Sequence, residues 1–157
     1  MSTSDVPAPE HRRPDGVSDE TVSALGKLSE ALETVEQARG QLYGFHQLSG
    51  KADLLLGEAV DQLREAGHAD LADRVETELV GLNVLAGRWT FQVVEEYDDG
   101  YHRAFTQIER QARDELVGGR RHLFEAEMKE SRRTHGAPGH EARPRGVDEP
   151  SGGTSGP

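Results

Sequence analysis

The chain has 157 residues, 34% hydrophobic and 30% charged, with 29 acidic against 18 basic side chains and a net charge of −11. That balance suits one domain that buries its apolar surface on narrow faces, and its negative field argues against nucleic-acid phosphate as a partner. Zero cysteines exclude disulfides, thiolate metal sites and cysteine nucleophiles. No apolar run approaches the roughly 18 residues of a membrane span. No basic, then apolar, leader opens the sequence, so the cytoplasm is the expected location.

Residues 1–17 and 136–157 are rich in proline, glycine and polar residues and read as disordered tails flanking a single helical domain over 18–135. Ser18 followed by Asp19 and Glu20 is an N-cap signal. Val22, Leu25, Leu28, Leu32, Val35, Leu42 and Phe45 then recur at helical spacing. This predicts a first helix over 18–48, a break at Ser49-Gly50, and a second over 51–66 that stops at Gly67, where a helix C′ glycine belongs. From Asp70 a stripe through Leu71, Val75, Leu79, Leu82, Ala86, Trp89, Val93, Tyr97, Tyr101, Phe105, Ile108, Ala112 and Leu116 keeps phase by threes and fours. One long helix, or two nearly collinear ones, is expected to carry it. Trp89 to Val93 also alternates like a strand, but the helical stripe enters and leaves it in phase. Gly118-Gly119 is the next break, before a basic helix over 120–134 with Leu123, Phe124 and Met128 inward. The fold expected is all-α: an elongated antiparallel bundle or hairpin of three to four helices with coiled-coil-like seams.

Trp89, Phe91, Tyr97, Tyr101 and Phe105 hold five of the eight aromatic rings, so this segment is expected to supply core or interaction surface. Arg39 continues the inward phase of Leu28, Leu32 and Val35, and so does His46. Both are polar groups at a seam, where such residues fix register. On a helix advancing about 100° per residue, Glu95, Asp98, Asp99 and His102 share a face flanking the aromatic stripe. A carboxylate and an imidazole one turn apart can hold a metal or share a proton, so His46, Glu95, Asp98, Asp99 and His102 are the candidate ligand or metal residues. An ordinary solvated flank would use the same residue types.

Residues 49–99 carry 12 acidic and 4 basic residues, and residues 100–135 carry 6 acidic and 8 basic, a charge pattern that favours pairing between the two segments. The basic cluster Arg120, Arg121, His122, Arg132 and Arg133 is therefore assigned to internal or inter-subunit matching. Di-iron carboxylate bundles require inward Glu-x-x-His pairs, whereas Glu65-Ala66-Gly67-His68 runs into a helix end. Glu30-x-x-Glu33 and Glu58-x-x-Asp61 resemble the paired carboxylate motifs of the all-α MazG-type nucleotide pyrophosphohydrolases, which implies magnesium held by those four residues. They project away from the apolar stripes of their own helices.

Periodic faces are strong in this sequence and reactive constellations are weak. The expected function is accordingly a non-catalytic protein–protein interaction or oligomeric scaffold module, acting through a protein partner or self-association. No cofactor is expected and no small-molecule ligand is identified. The alternative is an all-α bundle enzyme or metal binder.

Overall fold

The computed structural model describes residues 5–144, so the outermost parts of the two expected tails, 1–4 and 145–157, lie outside the described residues. It is all-α, with no strand among the described residues beyond an isolated bridge between Leu85 and Arg88. Helix α1 spans Asp19–Glu65. Ser18 caps it, its hydroxyl accepting the Thr21 N–H at 3.2 Å. The break expected at Ser49-Gly50 does not occur. A lone helical glycine costs about 1 kcal/mol, which packing along a helix of 47 residues offsets. The stop at Gly67 does occur: with φ at +87°, its N–H donates to the Arg64 carbonyl at 3.0 Å and the His68 N–H to the Leu63 carbonyl at 2.8 Å. Those two bonds form a Schellman motif, closing carbonyls that the helix end leaves open.

The stripe read as one long helix is carried by several elements. Helix α2 covers Ala69–Glu78, and the chain then leaves helical geometry until α3 at Thr90–Tyr97. Gly81 (φ +72°) and Gly87 (φ +69°) supply the left-handed turns of this connection, and its Gly81 N–H is held by Asp53 of α1 at 2.7 Å. Gln92 accepts the Trp89 N–H at 2.7 Å and so fixes the start of α3. The helix continues through a π-helical segment, Asp98–His102, into α4 at Arg103–Val117. Gly118 and Gly119, both at positive φ, end it as expected, and α5 spans Leu123–Arg132.

The chain divides into two compact units, one of residues 31–107 and one of residues 1–30 with 108–157. In the first, α1 turns one row inward, including Leu32, Val35, Arg39, Leu42, His46, Ser49, Asp53, Leu56, Val60 and Leu63, all buried or half-buried. Its steps of three and four are the heptad rhythm of a helix packed along a partner helix. The partner runs antiparallel: His46 bonds to Thr90, Arg39 to Asp98 and Glu36 to His102, so one number rises as the other falls. Buried side chains in this unit are few, namely Val35, Val60, Ala72, Thr90 and Val94.

The second unit is built on Val22, Leu25, Val117 and Leu123, with Val17, Leu28 and Ala112 against them. Here α5 approaches α1 at Gly26, where an added Cβ would lie 3.1 Å from the Phe124 Cβ. Of the inward residues expected on α5, Leu123 is buried, while Phe124 and Met128 are exposed. The described part of the N-terminal segment is anchored here. Arg13 donates to Glu127 at 2.9 and 2.8 Å, and Arg133, its side chain almost wholly buried, donates to the Asp5 carboxylate and carbonyl at 2.7 Å each.

Candidate functional site

From Thr90 onward the row turned furthest inward is displaced by one residue from the apolar stripe. Thr90, Val94, Glu109 and Val117 are buried and Asp98, His102, Thr106 and Arg113 half-buried, whereas of the stripe Val93, Tyr97, Phe105 and Ala112 are half-buried and Tyr101, Ile108 and Leu116 exposed. Thr90 to His102 advances in steps of four. In a regular helix each such step overshoots a full turn by about 40°, and the wide i→i+5 turns of the π segment take part of that drift back. Asp98 and His102 thereby stay on the face that meets α1.

That face forms a polar ladder inside the unit of residues 31–107. Arg39 donates through Nε and Nη2 to the two oxygens of Asp98, at 2.7 and 3.0 Å, a bidentate charge-assisted pair. The guanidinium lies over the Tyr43 ring, 5.1 Å from its centroid, and the Tyr43 hydroxyl sits 3.5 Å from Asp98 Oδ2. This pairing holds the Asp98 carboxyl below the ordinary aspartate range. It also raises Arg39 further above its already high value. Two turns away His46 Nδ1 and the buried Thr90 hydroxyl are 2.8 Å apart. On the other side His102 Nε2 and Glu36 Oε1 are 2.6 Å apart.

The candidate ligand residues are thus distributed among separate partners. His46 meets a threonine, Asp98 an arginine and His102 a glutamate, while Glu95 and Asp99 are exposed. Among the described residues no group of three or more His, Cys, Asp or Glu is placed to hold a metal ion. Asp98, already engaged by Arg39 and kept ionised, is a weak base. Chemically the ladder matches donors to acceptors and fixes the register of α1 against α3.

The aromatic residues flank it. Tyr97 and Tyr101 are 5.7 Å apart between centroids, as are Tyr101 and Phe105, in tilted contacts along the helix. Trp89 is half-buried and Phe91 exposed. Glu30, Glu33, Glu58 and Asp61, the four carboxylates of the pyrophosphohydrolase resemblance, are all exposed. Of the basic cluster, Arg133 is buried against Asp5 and Glu130, and Arg120 donates to the Arg12 carbonyl.

Two features were not read from the sequence. Glu109 is buried in the unit of residues 1–30 and 108–157, accepting Ser29 and Arg113 at 3.0 Å each, and the Arg113 Nε is buried without a partner. A half-open cleft of about 360 Å³ lies where the N-terminal segment crosses α5, lined by His11, His122, Lys129, Glu130 and Arg143 among others. Beyond the wall supplied by α5, its lining comes from segments whose composition reads as tail, so no periodic signal marks the cleft. Comparison with family models, curated proteins and solved structures finds no match for the chain.

Proposed function

We propose that the protein is a non-catalytic helical interaction module that works by associating through apolar helix faces left open in the folded chain. The observation that carries the reading is the exposure of large apolar side chains on helices whose charged inward groups are already paired. Phe45, Leu48, Leu54 and Leu55 of α1 and Leu71 of α2 are all more than a third exposed. Apolar side chains gathered on one helix, rather than scattered singly, are the mark of a contact surface.

The test is light scattering on tag-free protein across a wide concentration range, with thermal melts in magnesium, iron and zinc alongside. A mass that rises with concentration and a midpoint indifferent to metal support the module. A concentration-independent monomer stabilised by one of those metals would replace it with the metal-binding bundle.

A further inference from the structure

Helix α1 carries two heptad rows, and only one of them is covered. Beside the inward row runs a second, Phe45, Leu48, Ala52, Leu55 and Ala59, again in steps of three and four. All five are exposed, with Phe45 at 42%, Leu48 at 68% and Leu55 at 50%. A helix with two such rows is built to lie between two neighbours. The chain supplies the first neighbour.

We infer that the second is another copy of this chain, whose α1 packs antiparallel along the same row. This rests on the reading of the protein as an interaction module and names its partner. In antiparallel pairing, a-type positions face d-type positions. Taking Phe45, Ala52 and Ala59 as a and Leu48 and Leu55 as d, Leu48 stands opposite the second copy's Ala59, and Ala52 opposite its Leu55. Large meets small in each of these layers, which lets the two helices close without voids. Parallel pairing would instead set Ala52 on Ala52 and Phe45 on Phe45, alternating gaps with crowding.

Charge points the same way. Lys51 and Glu58 occupy equivalent positions on one flank of the row, both exposed and neither paired among the described residues. The antiparallel register brings Lys51 of each copy beside Glu58 of the other, twice by symmetry. A parallel register leaves both facing an apolar flank. The row spans roughly 21 Å of helix, a short seam of the kind found in weak, transient association.

The experiment uses the full chain in sedimentation equilibrium, with circular dichroism confirming unchanged helix content, as expected for substitutions at exposed positions. Wild type is expected to dimerise. Leu48→Glu is expected to abolish dimerisation. Lys51→Glu, which sets like charge against Glu58 of the other copy, is expected to weaken it about tenfold, as is Glu58→Lys, and the double variant Lys51→Glu/Glu58→Lys is expected to recover wild-type affinity. Dimerisation indifferent to Leu48→Glu overturns this seam while leaving the interaction reading standing. Loss with Leu48→Glu but no recovery in the charge-swapped double variant overturns the antiparallel register. A wild type monomeric at every concentration overturns the second copy as occupant, and the interaction reading then rests on a different protein.

Discussion

Glu130 accepts hydrogen bonds from Arg133 at 2.6 and 2.8 Å and lies 2.8 Å from His135, contacts that hold its carboxyl at about 2 against an ordinary 4.5. A carboxylate depressed in the folded state stabilises fully above its unfolded value and loses that contribution as pH falls toward the folded one. In thermal melts between pH 6 and pH 2, the advantage of wild type over Glu130→Gln is expected to be constant above about pH 5 and to shrink steadily from there to pH 2. Gly67 tests backbone chemistry in isolation. A Cβ there would meet no atom within 4 Å, so Gly67→Ala carries only the strain of φ +87°. A loss of about 1 kcal/mol in chemical denaturation is expected, with no change in helix content.

At the scale of elements, the inward row is one residue out of step with the apolar stripe from the start of α3, and the π segment keeps Asp98 and His102 on it. Leu116 and Val117 are neighbours on α4, and the apolar stripe assigns the inward place to Leu116. The fold exposes Leu116 at 47% and leaves Val117 at 1%. Val117→Ala should therefore cost roughly 2 kcal/mol, and Leu116→Ala, though it removes the larger side chain, less than about 1 kcal/mol. Equal losses in urea unfolding would restore the phase of the stripe. The inward row was hidden because Asp98, His102 and Glu109 belong to it, and periodicity looks for apolar residues. Each is matched by a partner that satisfies it, Arg39, Glu36 and Ser29 with Arg113. A buried polar group so satisfied carries little net cost, and hydropathy alone gives no sign of it.

For the molecule as a whole, the few apolar side chains buried among the described residues stand against a net charge of −11, a combination that favours modest stability. Association that binds only the folded state adds stability by mass action. The thermal midpoint of wild type should accordingly rise over about a hundredfold increase in protein concentration, and that of Leu48→Glu should stay level.

The all-α class, the capped start at Ser18 and the stops at Gly67 and Gly118-Gly119 were legible in the sequence, because caps and left-handed glycines act within one or two turns of the chain. So was the inward placing of Arg39 and His46, which keep the phase of Leu32 and Val35. Other features were settled only by tertiary contact. Packing carries α1 through Gly50. Asp53 holds Gly81 in a turn where the stripe ran on unbroken, and the partners met on α1 keep the polar neighbour of the aromatic row inward from Thr90 to His102. Local signals fix where helices begin and end, whereas the side of a helix that is buried depends on which distant groups can satisfy what it carries.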